Sequence, residues 1–290
     1  AVAVAQSLKP HDLIICGHVN LLPLACSLGR LRRVPVVLQV HGIEAWKPTS
    51  PARRWLPHVA RVWAVSSVTR DRMNAWAGLS PDRYTIIPNT IRPERYGLAP
   101  KRQDLLDRYG LANRTVIVSL GRLASSERYK GFDEIMEVMP SLIERVPTLS
   151  YLILGDGDDR PRLAEKARAL GLTDRVRFAG YVGEDEKADH LRLGDTFAMP
   201  GRGEGFGIAY LEAMACGIPV VGSLLDGSRD ALRDGLLGEL VNPDDGASLR
   251  AGLLNALSKP RRIPDGLEYF AWPNFLRRVS TSTLGTTRRC

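Results

Sequence analysis

The 290 residues are enough for two domains of ordinary size, and 44% hydrophobic with 25% charged residues is a globular composition rather than a disordered one. No apolar run reaches the roughly 20 residues that span a bilayer, and the first six residues place no basic stretch ahead of an apolar core, so no signal peptide is read. The net charge of +8 is uneven: residues 1–110 hold 16 Lys and Arg against 7 Asp and Glu, a balance of +9, and the remainder stands at −1.

Short apolar runs at 12–17, 34–42, 61–66 and 84–89 read as buried strands, with a helical pattern at 67–76. Unbroken apolar runs alternating with helices point to a parallel α/β sheet covered on both faces. Residues 88–101, rich in Pro and Arg and without periodicity, read as a linker or domain edge. The alternation then restarts, with strands at 115–121, 149–155, 176–180, 196–200 and 219–222 and helices at 132–145, 159–170, 208–216 and 247–258. Residues 267–279 look like an aromatic-rich helix, and 280–290 like a frayed polar tail. The domains expected are 1–111, 112–265, and a segment 266–290 crossing back onto the first. Two such sheets face to face would leave a cleft at the C-terminal ends of their strands, where open parallel sheets bind ligands.

Cys16, Cys26 and Cys216 lie in apolar stretches, and with Cys290 they form no C-x-x-C pair. Reduced, buried cysteines of a cytoplasmic protein are expected. The five histidines show no metal-ligand spacing.

The richest stretch runs from Pro200 to Val221: a strand end, a loop with Gly201, Gly203, Gly205 and Gly207, then a helix. Such glycines let a backbone approach a ligand, and a helix N-terminus favours an anion such as a diphosphate. Glu204 in the loop and Glu212 in the helix suit sugar and ribose hydroxyls as acceptors, although a structural turn with a capping Glu also fits. Arg122 and Lys130 flank a strand-to-helix loop and would neutralise a leaving diphosphate, unless they are ordinary loop cations. His41 ends a strand, either as a donor facing a ligand or as a structural residue. Asp156-Gly157-Asp158 has the D-x-D form of a metal site, but Asp158 or Asp159 as a helix cap is the simpler reading.

Together these residues resemble the GT-B glycosyltransferases of family 4, over about residues 12–271. The pattern E-x7-E is Glu204 and Glu212, the family's arginine and lysine match Arg122 and Lys130, its Gly-Asp-Gly turn matches Gly155-Asp156-Gly157, and its strand-end histidine matches His41. The resemblance implies an α/β fold of two Rossmann-like doubly wound domains facing across a cleft. It implies a retaining hexosyltransferase that uses a nucleotide-diphosphate sugar, GDP- or UDP-linked, with no metal and no resident cofactor. Arg122 and Lys130 would hold the diphosphate, the N–H groups of Gly205, Phe206 and Gly207 the phosphate and sugar, Glu204 the transferred sugar, Glu212 the ribose, Tyr181 and Val182 the base, and His41 the donor sugar near its anomeric centre. Attack would come on the face from which the phosphate leaves, with that phosphate as base. Family members begin with a further strand and a Gly-rich loop, so a segment of some tens of residues is expected upstream and the first domain is expected to be incomplete.

The acceptor expected is a glycan or a lipid-linked glycan, in cell-envelope or exopolysaccharide biosynthesis. The basic first half, with Arg30, Arg32, Arg33, Arg53 and Arg54, suits peripheral contact with anionic membrane at its inner face, or is a solvated surface. No nucleic-acid-binding motif accompanies the charge. The rival readings are a non-catalytic nucleotide-sugar-binding or scaffolding protein, a metal-dependent GT-A transferase resting on the D-x-D, and a NAD enzyme, for which Gly155-Asp156-Gly157 lacks the third glycine.

Overall fold

The computed structural model describes residues 11–287 of the chain. After Asn89, and again after Trp272, the chain passes between two compact units.

The first unit is a parallel sheet of β1 (Ile14–Cys16), β2 (Val36–Val40), β3 (Arg61–Ala64) and β4 (Tyr84–Ile86), in that order. Ile14 stands opposite Val36, Val37 opposite Arg61, and Val62 opposite Tyr84. Side chains alternate across a strand, so an all-apolar strand must be covered twice. Leu38 and Val62 pack with Leu22, Cys26 and Met73 of the helices Leu22–Arg32 and Ser67–Ala77. The second helix begins where the Ser66 hydroxyl accepts the Thr69 N–H at 3.0 Å and stops at Gly78, whose φ is +61°. Val37 and Trp63 face the other way and pack with Phe275 and Val279 of the helix Trp272–Thr287. The Trp63 indole N–H donates to the Ser282 hydroxyl across 2.7 Å, and both residues are buried.

The second unit is a six-stranded parallel sheet of β5 (Thr115–Leu120), β6 (Leu149–Leu154), β7 (Val176–Gly180), β8 (Thr196–Ala198), β9 (Val220–Ser223) and β10 (Glu239–Val241). Its order is β10-β9-β8-β5-β6-β7, so the chain builds outward from β5 to β7, returns to the centre, and builds outward the other way. This is the doubly wound nucleotide-binding order. The helices Phe132–Arg145 and Gly246–Ser258 cover one face, burying Ile135, Met139, Leu142, Leu249 and Leu253 against Tyr151 and Ile153. The helix Ile208–Ala215 is apolar almost all round and buries Tyr210, Leu211, Ala213 and Met214.

The α/β class with two Rossmann-like sheets is therefore as the sequence suggests, and Cys16, Cys26 and Cys216 are buried free thiols. Cys290 lies outside the described residues. Three details differ. The units divide after Asn89 and not at 111, because the segment read as a linker packs on the second unit. There Ile91 pairs with Ala271, Gly97 N–H donates to the Ala215 carbonyl at 2.9 Å, and Leu105 and Leu111 are buried. That pairing also breaks the helix expected at 267–279 into a short 3-10 turn, Leu267–Phe270, and a separate helix from Trp272. Finally, residues 280–287 continue that helix instead of fraying; 288–290 lie outside the described residues.

Replacing Trp63 by Phe keeps most of the buried ring but removes the N–H that holds Ser282. A loss of about 1–2 kcal/mol is expected, read from urea unfolding; a change within error would show that the bond does not help seat the C-terminal helix.

Candidate functional site

Ligands of open parallel sheets bind beyond the strand C-termini where the strand order reverses. In the second unit that point lies between the central neighbours β5 and β8. The loop after β5 carries Arg122 and Lys130, the loop after β8 carries Glu204, and the loop after β6 leans on the first. The contact is close enough to require glycine. A Cβ on Gly155, whose φ is +136°, would stand 1.9 Å from the Gly121 carbonyl oxygen, and one on Gly131, φ +91°, would stand 2.7 Å from that of Pro200. The Arg202 N–H donates to the Tyr129 carbonyl at 2.8 Å, joining the β5 and β8 loops directly.

Arg122 and Lys130 come together on Glu127. The Lys130 ammonium lies 2.9 Å from Glu127 Oε2 and Arg122 pairs with Oε1. Lys130 is largely covered, whereas the Arg122 side chain is 77% exposed. Two cations on one carboxylate leave a surplus positive charge at the end of β5, which suits a diphosphate.

Glu204 turns its carboxylate toward the two residues that follow it, at the end of its own loop. Oε1 accepts the Gly205 N–H at 3.1 Å and lies 3.5 Å from the Phe206 nitrogen. These two N–H groups, expected to meet a phosphate and sugar, are thus directed at Glu204 here. Gly207, φ +89°, sits at the N-cap of the helix Ile208–Ala215. Phe206 is buried, edge-on to Phe270 at 5.6 Å.

Asp226 was missed in the sequence. It follows β9 in Leu225-Asp226-Gly227, and its one signal was its place just past a strand end. It is fully buried. Its Oδ2 accepts the Glu204 N–H at 3.0 Å, and its Oδ1 accepts the Ser228 N–H at 3.0 Å and hydroxyl at 2.7 Å. The Gly227 N–H returns to the Glu204 carbonyl at 2.8 Å. Asp226 therefore fixes the loop that carries Glu204.

Glu212 is buried on its helix, where it meets Tyr96 and Lys187, two more residues that the sequence did not single out. Tyr181 follows β7 with 83% of its surface exposed, and Val182 is half-buried. His41 stands on the first unit, exposed at the end of β2, its N–H donating to the Glu44 carboxylate.

The D-x-D turn braces a loop. Asp158 accepts the Ser125 N–H at 3.0 Å and hydroxyl at 2.6 Å, and these bonds lower its pKa. Asp156 accepts the Gly157 N–H and pairs with Arg160. Asp159 pairs with Arg128 and Arg162. Neither Asp158 nor Asp159 makes the capping bond expected on the helix Arg160–Ala169, because both are committed to these partners. Among the described residues no three His, Cys, Asp or Glu side chains gather as metal ligands would, and no helix is long and apolar enough to cross a membrane.

Two family models match the chain: "Glycosyl transferases group 1" over residues 114–259 and "Glycosyltransferase Family 4" over residues 2–95. Among curated proteins, a GDP-mannose-dependent alpha-(1-6)-phosphatidylinositol monomannoside mannosyltransferase of Mycolicibacterium smegmatis is 34% identical, over 83% of this chain and 64% of the relative. A phosphatidyl-myo-inositol mannosyltransferase of Mycobacterium leprae is 31% identical, over 78% and 56%. The chain thus spans less than two thirds of either relative's length. Among solved structures, Anabaena Alr3699/HepE in complex with UDP and glucose superposes with a TM-score of 0.80 at 20% identity, over 98% of this chain and 81% of that one. The apo lipopolysaccharide outer core galactosyltransferase WaaB gives 0.76 at 20% identity, over 98% and 78%. Likeness at this identity speaks to the fold alone.

Burial raises the Asp226 pKa to about 6; the bonds from Ser228 and Glu204 oppose the shift, and the nearby Glu204 charge adds to it. Between the unfolded value of 3.8 and about 6, the native state holds a proton that the unfolded chain has released. Stability from this group therefore falls as pH rises through that window and is flat above it. The shift corresponds to about 3 kcal/mol. The unfolding free energy of wild type minus that of Asp226→Asn is expected to drop by that order between about pH 4 and about pH 6; a difference that does not vary with pH would contradict a buried, titrating Asp226.

Proposed function

Because this chain belongs to the glycosyl transferases of group 1, we propose that it transfers a hexosyl group from a nucleoside diphosphate sugar to a glycan or lipid-linked acceptor, with retention of anomeric configuration. GDP-mannose as donor and a phosphatidylinositol-linked mannoside as acceptor, in building the cell envelope, are supported by the names of its mannosyltransferase relatives. Contact with anionic membrane through the basic first 110 residues is part of the same proposal.

The observation that carries the reading is the placement of Arg122 and Lys130, joined on Glu127, at the C-terminal end of β5 where the sheet order reverses, beside the Glu204 loop. In the reaction the bond from the anomeric carbon to the diphosphate oxygen breaks. A bond to the acceptor hydroxyl oxygen forms on the same face, and the acceptor proton passes to the departing diphosphate. The diphosphate gains negative charge as it leaves, so the guanidinium of Arg122 and the ammonium of Lys130 stabilise the transition state more than the ground state. To bind, the diphosphate displaces Glu127 from one or both cations, and Arg122, the more exposed, yields first. Glu204 would accept from hydroxyls of the transferred sugar, and its own release frees the Gly205 and Phe206 N–H groups for the donor. Tyr181 and Val182 would meet the base, and His41 the sugar.

Calorimetric titration with GDP and with UDP, each with EDTA present, tests this. One nucleotide should bind without metal, and Arg122→Ala should weaken it about tenfold or more, the scale of one charge-assisted pair. Binding of neither, or binding that Arg122→Ala leaves unchanged, would contradict the assignment.

A further inference from the structure

Glu212 lies on the helix Ile208–Ala215 and is 7% exposed. Two donors converge on its Oε1: the Tyr96 hydroxyl at 2.8 Å and the Lys187 ammonium at 2.7 Å. They arrive from distant parts of the chain. Tyr96 belongs to the segment that opens the second unit, and Lys187 to the helix Glu184–Leu191. Lys187 is held from its other side by Glu184 at 2.8 Å. Both bonds fall on one oxygen, and among the described residues Oε2 has no hydrogen-bond partner.

We infer that Lys187 and Tyr96 are positioning residues that hold the Glu212 carboxylate in one orientation, so that Oε2 accepts hydrogen bonds from a vicinal diol, the ribose of the nucleoside diphosphate. The inference rests on the donor reading above. One donor alone would let the carboxylate turn about it, and a second donor on the same oxygen removes the rotation that would turn Oε2 away. Both donors keep their protons. Burial first, and then the bond to Glu212, push the Tyr96 hydroxyl far above the ordinary tyrosine range. Burial works to lower the Lys187 pKa, but the bonds to Glu184 and Glu212 outweigh it and leave it raised. The E-x7-E spacing thus supplies the carboxylate, and residues outside that motif supply its orientation.

The test compares the nucleoside diphosphate that binds, GDP or UDP, with its 2′,3′-dideoxy analogue, in wild type and in Lys187→Met, Lys187→Arg and Tyr96→Phe. A site built around a hydroxyl rejects the analogue that lacks it, so wild type should prefer the ribose form by about tenfold or more. Lys187→Met should abolish that preference by weakening the ribose form alone. Tyr96→Phe should reduce it in part, and Lys187→Arg should restore part of it. Unchanged binding of the dideoxy analogue shows that the variant remains folded. Equal weakening of both forms in Lys187→Met, or of neither, would overturn the inference while leaving the donor reading in place. A wild-type chain that binds neither nucleotide would overturn the donor reading, and the inference with it.

Discussion

The close approach of backbone to backbone between the loops that leave β5, β6 and β8 is the constraint on which the candidate site depends. These strands are central neighbours in the sheet, so their loops emerge side by side and have little room. Gly155 sits against the carbonyl of Gly121, and Gly131 against that of Pro200, at distances that admit no side chain. Arg202 reinforces the assembly from outside, its guanidinium shared between Glu134 and Asp244. Arg202 is thus a strut, whereas Arg122, one strand away, pairs with Glu127 alone and is mostly exposed. The same residue type serves two purposes, and the difference is whether fixed carboxylates surround it.

Charge in this unit is arranged in small, nearly balanced groups. Arg122 and Lys130 share Glu127, and Lys187 lies between Glu184 and Glu212. Among the described buried carboxylates, Asp226 is the exception. It has hydrogen bonds from Ser228 and the Glu204 backbone but no cation, and Glu204 is close enough to raise its pKa further. A buried carboxylate without a cation is an expensive way to hold a loop. It is accepted here where the loop carries Glu204, which is consistent with precision at that position mattering more than stability.

Much of this was legible in the sequence. Buried parallel strands announce themselves as short unbroken apolar runs: eight of the ten described strands fall within runs read that way, and a ninth, β9, overruns its run by Ser223 alone. The tenth, Glu239-Leu240-Val241, is an edge strand of three residues with too little apolar length to stand out. The helix Glu184–Leu191 was silent for a related reason: it buries only His190 and Leu191 and otherwise reads as a solvated acidic segment. Lys187 was lost with it. Tyr96 lay in a stretch without periodicity, and only the tertiary pairing of Ile91 with Ala271 brings that stretch onto the second unit. The Gly-rich loop, Glu204 within it and Glu212 on the helix that follows were singled out because glycine and carboxylate meet there at a strand-to-helix turn. The direction of the Glu204 carboxylate, toward the N–H groups of Gly205 and Phe206, depends on local geometry that spacing does not encode.

The central claim is that the crossover between β5 and β8 receives the donor diphosphate. Hydrogen–deuterium exchange of the chain with and without saturating GDP or UDP tests it most directly, because backbone amides report protection where a ligand sits. Slowed exchange concentrated in residues 121–131 and 201–209 is the predicted result. Protection confined instead to the hollow at the opposite end of the sheet, around Leu236, Leu237 and Lys259, or to the first unit, would contradict it.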